Sequence, residues 1–257
     1  MKIGTSPIQI IFENEDFAIL NKPRGIPTAP LREGDYSLLT EFLRIRDLKE
    51  RVVGKKEVER GLLHRLDTPT TGLVLIAKKQ KIFDFFSFMQ KQDKIEKEYL
   101  AYCDILKDKK LANGINTNVD SEVFEIKSSF LSCGRHRRKV KMSFGIENKV
   151  YTTKIMLKAP LKNIFKKGIK QTLVKCILTQ GYRHQVRCHL ASLGLPILND
   201  ALYNFRYIEE NKERIEDEIK TQSYALELYA TRLTFPSPYS PSEQLSFLLP
   251  PLDKKSQ

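Results

Sequence analysis

One short segment, residues 61–77, constrains the fold and the site of this chain more than any other stretch. At its centre, Arg65, Leu66 and Asp67 place a cation, an apolar residue and a carboxylate side by side, directly before a turn that contains a proline and a glycine. The apolar residues 73–77 follow at once and predict a core strand. A carboxylate at the mouth of a turn beside a core strand is placed to react, and not merely to be solvated.

The order of the apolar patterns predicts an α+β fold. Helices are predicted at residues 38–47, 81–92 and 184–193. Ser37 caps the first, and the second is apolar nearly all round and should be buried. Because the predicted strands mostly follow one another instead of alternating with helices, the sheet should be largely antiparallel. The strand segments, with alternating or β-branched apolar content bounded by turn residues, are 8–20 (with a turn at 13–16), 99–105, 122–130, 149–157, 172–178, 225–235 and 244–249.

The charge balance favours a polyanionic partner. The chain has 44 Lys and Arg against 31 Asp and Glu, a net charge of +13. Such a surplus attracts RNA through counterion release and electrostatic steering, although a basic enzyme with a solvated surface remains the alternative. Residues 207–220 run against this trend, with six acids and three bases, a net of −3 that leaves +16 for the rest. We interpret them as a charged insertion, a solvated helix that faces away from the RNA.

The positive charge is concentrated in one segment. Residues 135–141 place five basic side chains within seven positions. We interpret this segment as a loop that clamps phosphates and positions the RNA, the alternative being a charged loop without contacts. Its basic residues are Arg135, Arg137, Arg138, Lys139 and Lys141. A more diffuse cluster is formed by Lys162, Lys166, Lys167 and Lys170.

Several classes of protein are not indicated by the sequence. The four cysteines are scattered without a framework, so we expect reduced thiols in a cytoplasmic protein. No run of 18 apolar residues predicts a membrane span, and the N-terminus does not resemble a signal peptide. Neither a nucleotide-binding glycine loop nor a zinc pattern is present, and the spacing of Cys176, His184, Cys188 and His189 fits none. We therefore expect no metal and no cofactor.

These segments resemble the motifs of one enzyme family. Residues 64–73 resemble the H-R-L-D-x-x-T-S-G-L signature of the RluA-type pseudouridine synthases, with Thr71 in place of the usual serine. Residues 181–203 resemble the family's G-R-x-H-Q-I-R-x-H-L-x-x-x-G-x-P-I-x-x-D-x-x-Y pattern, except that Tyr182 occupies the usual arginine position and Arg183 follows it. The shorter matches are N-K-P-x-G at residues 21–25 and K-x-Y-x-A at residues 97–101.

The resemblance implies roles for particular residues. It implies that Asp67 is the catalytic residue, that Arg187 pairs with it, and that Tyr99 lies against the target base, where it has been suggested to aid proton removal. Whether Tyr182 or Arg183 takes the place of the usual motif arginine is left open. The further residues implied as RNA contacts are Arg65, which would fill the space that a flipped uridine vacates, and His64, Arg183, His184 and Gln185.

The resemblance also implies an activity and an architecture. The family isomerises uridine to pseudouridine in ribosomal or transfer RNA, without a cofactor, after the uridine has left its helix. Its fold is a largely antiparallel mixed sheet flanked by helices. We expect residues 1–257 to form a single, monomeric catalytic domain without a separate N-terminal RNA-binding domain.

Two other functions are considered. The first is an RNA-binding or assembly factor that uses this fold without turnover, which the presence of Asp67, Tyr99 and Arg187 argues against. The second is a glycosidic hydrolase, which normally needs two acids flanking the bond, and no convincing partner for Asp67 is visible. The sequence leaves open whether Asp67 acts as nucleophile or base, and which uridine of which RNA is modified.

Overall fold

A computed structural model describes residues 8–46, 48, 50–106, 123–144, 149–157, 171–240 and 242–249. Within these residues, ten strands form one mixed sheet in the order β1-β2-β3-β9-β4-β8-β7-β5-β6, with β10 paired to β9. The strands are β1 (Gln9–Glu13), β2 (Phe17–Lys22), β3 (Thr71–Ala77), β4 (Glu96–Asp104), β5 (Val123–Cys133), β6 (Lys139–Ser143), β7 (Tyr151–Leu157), β8 (Gln171–Leu178), β9 (Leu228–Pro236) and β10 (Gln244–Leu248). The helices are α1 (Leu38–Ile45), α2 (Gln80–Lys91), α3 (Gln185–Ser192), α4 (Phe205–Glu210) and α5 (Ile215–Thr221). The α+β prediction is confirmed.

The sheet is antiparallel at every neighbouring pair except one, as the strand order predicts. The exception is the short parallel contact of β3 with β9, where Thr71 lies opposite Tyr229 and Gly72 opposite Ala230. Gly72 has a φ of +135°, and a Cβ on it would lie 2.3 Å from the carbonyl oxygen of Ala230. Any side chain would push the two strands apart. Gly72 therefore fixes the start of β3, and with it the loop that carries Asp67.

The sheet buries both of its faces around β2 and β3. Along these strands successive side chains point to opposite faces, so Phe17 and Ile19 enter one core cluster while Ala18 and Leu20 enter the other. Helix α2 covers the first cluster, where Phe86 packs edge-on against Phe17 with ring centroids 5.6 Å apart. The larger, second cluster lies on the face that carries the cleft described below.

Two helix predictions need correction. Helix α2 is not buried all round, because Phe88 is 57% exposed while Phe83 and Phe86 are buried. The charged segment 207–220 is not one solvated helix but parts of α4 and α5 with a turn between them. Ile215 is buried and Ile219 packs against the larger core cluster, so the apolar residues of this insertion anchor it to the domain.

The basic segment predicted as a loop is part of a β-hairpin. Strands β5 and β6 pair antiparallel, and Cys133 lies opposite Lys139, so residues 134–138 form the turn. In β6 the side chain of Val140 is buried and that of Lys141 is exposed, as alternation in a half-buried strand requires. The side chain of Arg135 and the lysine cluster at 162–170 lie outside the described residues.

The remaining general predictions concern cysteines and membrane segments. Cys103, Cys133, Cys176 and Cys188 are all free thiols, as expected from their spacing. No helix in the described part of the chain has the length and apolar character required to cross a membrane.

Candidate active site

A cleft of about 890 Å³ opens on the face of the larger core cluster. Asp67, Tyr99 and Arg187 all line it, although they come from a loop, from β4 and from α3. The structure thus brings the three predicted catalytic residues to one wall. Of the predicted RNA contacts, those that also line the cleft are His64, Arg65, Arg138, Arg183, His184 and Gln185.

The loop that carries Asp67 is held by the segment after β2. The hydroxyl of Thr28 donates to the carbonyl of Leu66 at 2.7 Å and accepts from its backbone N–H at 3.1 Å. The backbone N–H of Gly25 donates to the carbonyl of Thr68 at 3.0 Å. Backbone groups on both sides of Asp67 are therefore fixed, which limits the positions that its carboxylate can take.

Lys22 makes the deepest of these contacts, although the sequence did not indicate a role for it. Its side chain is fully buried, and Nζ donates to the carbonyls of Pro23, Ile26 and Thr68 at 2.9, 2.7 and 2.9 Å. Burial lowers the pKa of Lys22 to about 7, while the charge of Asp67 acts in the opposite direction. Lys22 is the lysine of the N-K-P-x-G motif, and these bonds explain how that motif supports the Asp67 loop.

Arg187 is the anchor of the site. Its guanidinium forms a bidentate pair with Asp200, from Nε to Oδ2 and from Nη2 to Oδ1, both at 2.8 Å. Nη2 also donates to the hydroxyl of Tyr224 at 2.8 Å, and Nη1 donates to Oδ2 of Asp67 at 3.1 Å. The arginine is 1% exposed, so these partners fix a rigid fork of donors against the candidate catalytic carboxylate.

Asp200 holds Arg187 in place and was not singled out from the sequence. It is fully buried, and its Oδ1 also accepts the backbone N–H groups of Leu202 and Tyr203 at 2.9 and 3.1 Å. The D-x-x-Y end of the second motif is the signal that could have identified it. Asp200 therefore links the turn after α3 to the position of Arg187.

The electrostatics of the cleft keep Asp67 ionised. Burial on its own would raise the pKa of this carboxyl. His184 in its protonated form, Arg187 and Lys22, together with the hydrogen bond from Arg187, outweigh burial and hold the pKa below the usual value. The side chain is 21% exposed, so one part of the carboxylate still faces the cleft. A partly exposed anion with one oxygen held by a guanidinium is suited to act on a bound substrate.

His184 stands between Asp67 and the hairpin. Its backbone is left-handed, with a φ of 57°, at the start of α3. Nε2 lies 3.8 Å from Oδ2 of Asp67, and Nδ1 lies 3.0 Å from the hydroxyl of Tyr203. Burial lowers the pKa of His184 to about 4 although Asp67 opposes this, so the ring is neutral near pH 7. Arg187 is then the cation that persists beside Asp67.

Tyr99 lines the cleft from the sheet. It lies on β4, opposite Cys176 of β8, and only 8% of its surface is exposed. Burial raises its pKa, and the charges of Asp67 and Cys176 raise it further. Its hydroxyl therefore stays protonated over the physiological pH range.

Gln185 lines the cleft, and its amide has three partners within the protein. The Gln185 amide accepts the backbone N–H of Tyr182 at 2.9 Å and donates to the Thr152 carbonyl at 3.0 Å and to the Thr153 hydroxyl at 2.9 Å. The amide of this buried side chain is engaged within the protein, and the predicted RNA contact of Gln185 stays a prediction.

The cysteines and histidines weighed as metal ligands do not converge. His189 is fully buried, with Nδ1 2.9 Å from the hydroxyl of Thr153 and Nε2 3.0 Å from that of Ser128. His184 turns instead towards Asp67. Among the described residues, no group of three or more His, Cys, Asp or Glu side chains is arranged to hold a metal ion.

Arg183 and Tyr182 make different kinds of contact. Nη2 of Arg183 donates to the carbonyl of Arg137 at 2.7 Å and to that of Lys139 at 3.3 Å, so it ties the hairpin turn to the loop before α3. Tyr182 stacks on Phe130, with centroids 5.1 Å apart and planes within 10°. Arg183 therefore uses its donors on the basic hairpin, while Tyr182 adds an aromatic wall to the cleft.

Arg65 and His64 occupy opposite sides of the Asp67 loop. Arg65 is 57% exposed and pairs with the buried Glu59 at 2.9 Å. His64 faces inward, where Nε2 accepts the backbone N–H of Leu75 at 3.3 Å. Arg65 can reach a bound RNA only after it has left Glu59, and His64 already has one nitrogen committed to β3.

The geometry agrees with comparisons to known proteins. Residues 16–192 match the family model described as RNA pseudouridylate synthase. This chain belongs to that family. The match covers the loop of Asp67, strand β4 and helix α3, so all three residues at the cleft wall lie within the family domain.

Relatives in the RNA pseudouridylate synthase family support the same assignment. The ribosomal large subunit pseudouridine synthase C of Buchnera aphidicola is 30% identical over 209 residues, 80% of this chain and 58% of the relative. The ribosomal large subunit pseudouridine synthase D of Zymomonas mobilis is 28% identical over 199 residues, 77% of this chain and 56% of the relative. The chain thus spans less than two thirds of the length of these relatives.

A solved structure supports the fold. Human RNA pseudouridylate synthase domain containing 1 superposes with a TM-score of 0.66 at 19% identity, over 97% of this chain and 86% of that one. At this identity the likeness shows the pseudouridine synthase fold alone, and it agrees with the mixed sheet described above.

Proposed function

We propose that this chain isomerises a uridine of RNA to pseudouridine, with Asp67 as the catalytic residue. The observation that carries the proposal is the ionised carboxylate of Asp67 at the cleft, bound on one oxygen by Arg187 at 3.1 Å. Membership of the RNA pseudouridylate synthase family supports the reaction type. Two relatives named as ribosomal large subunit synthases make ribosomal RNA the first substrate to test, with transfer RNA next.

The reaction places clear demands on Asp67. The bond from C1′ of the ribose to N1 of uracil breaks, the base rotates, and a bond from C1′ to C5 forms. The proton on C5 leaves and N1 gains one, so the atoms balance. An ionised carboxylate can attack C1′ as a nucleophile or remove a ribose proton as a base, and both routes need the negative charge. The lowered pKa of Asp67 supports either route.

Tyr99 is suited to position the base. Burial raises the pKa of its hydroxyl, and the charge of Asp67 raises it further, so the hydroxyl stays protonated while Asp67 is ionised. The ring can therefore pack against the base, and we propose this contact as its main role. The assistance in removal of the C5 proton that the family resemblance implies requires the hydroxyl to give up its own proton first.

Substrate binding requires the uridine to leave its helix. Extruding a base costs a few kcal/mol, which contacts elsewhere must offset. We propose that Arg65 leaves Glu59 and occupies the vacated space, and that the hairpin turn with Arg137 and Arg138 binds the RNA backbone. Arg138 lines the same cleft as Asp67, which supports a continuous path from the hairpin to the site.

The experiment is the variant Asp67→Asn, which keeps the size of the side chain and removes its charge. Turnover is measured as tritium release from RNA that carries a C5-labelled uridine, and RNA binding by filter retention. We expect release to fall to background while binding persists or rises slightly, because a negative charge near the phosphates is gone. Asp217→Asn, on the exposed surface of α5, is the matched control and should release tritium normally.

Three results would contradict the proposal in different ways. Substantial release by Asp67→Asn would remove Asp67 as the catalyst. No release by the wild type from any cellular RNA, with binding intact, would favour a binding factor without turnover. A loss of base mass from the RNA, instead of an unchanged mass, would indicate hydrolysis.

A further inference from the structure

Lys97 is a buried cation inside the cleft that the reaction described above does not use. It lies on β4 and is 4% exposed. Lys97 and Tyr99 are two positions apart, so their side chains leave the same face of the strand about 7 Å from each other. Both residues line the cleft. Lys97 therefore stands one side chain away from the ring that we place against the target base.

The ammonium of Lys97 has no acceptor among the described residues. Lys22, the other buried lysine among the described residues, is different because it donates to three carbonyls. The half-buried Lys78 and Lys175 pair with Glu13 at 2.8 Å and with Glu98 at 2.5 Å. The side chain of Lys97 is largely desolvated while its ammonium faces the cleft, and a lysine this buried is rarely left without a partner. Burial accordingly lowers the pKa of Lys97 to about 8, and the positive charge of Lys55 adds to this effect although Asp93 opposes it.

The surroundings of Lys97 leave room for an anion. Gly181, in the loop before α3, would bring a Cβ to 3.7 Å from Nζ, so only backbone lies beside the ammonium there. The neighbouring ring of His64 accepts the Leu75 N–H at Nε2, and its Nδ1 therefore carries the hydrogen and has no partner among the described residues. Lys55 lines the same part of the cleft. Two lysines and the free N–H of His64 therefore meet here, while the carboxylate of Asp93 acts on Lys97 from a distance without a hydrogen bond to it.

We propose that Lys97 binds a phosphate oxygen of the RNA backbone, next to the nucleotide whose base lies against Tyr99. The ribose and the base are neutral, so the phosphodiester is the anion that an RNA brings into this cleft. Within one nucleotide the ribose separates the phosphate from the base, which matches the offset between Lys97 and Tyr99 along the strand. Lys97 is thus assigned as a second phosphate contact, inside the cleft and apart from the hairpin.

This inference rests on the proposed function only for the identity of the RNA nucleotide, and it is tested by binding. The probe is a short RNA with one uridine among other nucleotides, made with a neutral methylphosphonate at one linkage at a time. Lys97→Met removes the charge and keeps the length of the side chain. Lys94→Met is the matched control, because it removes the same charge from an exposed position on the same approach to β4.

The expected result is specific to one linkage. Lys97→Met should bind the unmodified RNA about 10-fold to 100-fold more weakly, as expected when a charge-assisted hydrogen bond is removed, and Lys94→Met should bind almost normally. At one linkage beside the uridine, the methylphosphonate should weaken wild-type binding but should not weaken Lys97→Met further. Lys97→Arg, which keeps the charge, should recover part of the affinity.

Thermal unfolding distinguishes this function from a structural role. Because Lys97→Met removes a buried cation without a partner, its melting temperature should equal or exceed that of the wild type. A lower melting temperature together with normal RNA binding would show a structural lysine and overturn the proposal. Equal losses of RNA affinity in Lys97→Met and Lys94→Met would also overturn it. So would a linkage scan in which the loss of affinity from Lys97→Met and the loss from the neutral linkage add at every linkage.

Failure of the proposed reaction gives a different result. If wild-type protein binds the probe but releases no tritium from cellular RNA, the isomerase proposal fails while the linkage scan can still support Lys97. If tritium release is normal and no linkage depends on Lys97, only the phosphate contact fails.

Discussion

Asp200→Asn provides the sharpest test of how the site is held together. The substitution keeps the shape of a fully buried side chain but removes the charge that faces Arg187. In the structure both oxygens of Asp200 accept from the guanidinium at 2.8 Å. An asparagine can accept through one oxygen only, and its NH₂ group would meet the other arginine donor. Arg187 would then be buried with Asp67 as its remaining carboxylate partner among the described residues.

The magnitude follows from the cost of breaking a buried ion pair. Removing one partner of such a pair destabilises proteins by about 3–5 kcal/mol, out of a total free energy of unfolding on the order of 5–15 kcal/mol. Tyr224→Phe removes only the hydroxyl that accepts from the same guanidinium at 2.8 Å. That variant should lose on the order of 1.5 kcal/mol. We therefore predict that Asp200→Asn loses more stability than Tyr224→Phe, in addition to the size of each loss.

Urea unfolding measures both losses directly, provided that the transition is two-state. The midpoint should fall strongly for Asp200→Asn and modestly for Tyr224→Phe, with Asp217→Asn as an exposed control close to the wild type. Tritium release by Asp200→Asn, measured well below its melting temperature, should also drop, because Arg187 is no longer held against Asp67. A loss below about 1 kcal/mol for Asp200→Asn would refute the idea that this ion pair fixes the site.

Three further predictions address pH, RNA binding and the loop before α3. Burial lowers the pKa of His189 to about 4, so between pH 6.5 and 4 the unfolded chain binds the extra proton. Its contribution, about 3 kcal/mol, is complete above pH 6.5 and disappears towards pH 4. His189→Gln should therefore make this part of the stability curve less steep, with the remaining slope due to His64 and His184, whose pKa values are also lowered. Replacing Arg137 and Arg138 by Glu should reduce the log–log salt slope of RNA binding by roughly 0.7–0.9 for each phosphate that the hairpin no longer neutralises, and an unchanged slope would make the hairpin a bystander. Arg183→Ala should slow single-turnover release more than Tyr182→Ala, and the reverse order would give the Tyr182 ring its own role.

The sequence predicts the parts of the fold in which local pattern and burial agree. Strands β2 and β3 are apolar on both faces, and the structure buries both. Strand β6 was missed because its lysines suggested an RNA-binding loop, although the alternation around Val140 was present. The prediction for 207–220 was wrong for a related reason, since the many acids concealed Ile215 and Ile219, which anchor the insertion.

The candidate site could be predicted only where a motif marked a residue by type. The motifs indicate Asp67 and Arg187, and the structure places them 3.1 Å apart. They do not reveal the burial of Lys22 and Asp200, because a lysine or an aspartate is far more often exposed than buried. The roles of these two residues depend on acceptors and donors distant in the chain, such as the Thr68 carbonyl that lies 46 residues from Lys22.

Four cations at or near the cleft, namely Lys22, Arg187, Lys97 and Arg138, fall into two classes by their partners, and this division predicts their effects. Lys22 and Arg187 are buried and saturated by partners within the protein, so they set the position and charge of Asp67. Lys97 is buried without an acceptor among the described residues, and Arg138 lies exposed at the rim, so their charges remain for RNA. Substitutions in the first class should therefore lower stability before they affect affinity. Those in the second class should lower affinity at unchanged or higher stability. A cation that broke this rule would show that its partners in the free protein do not determine its task.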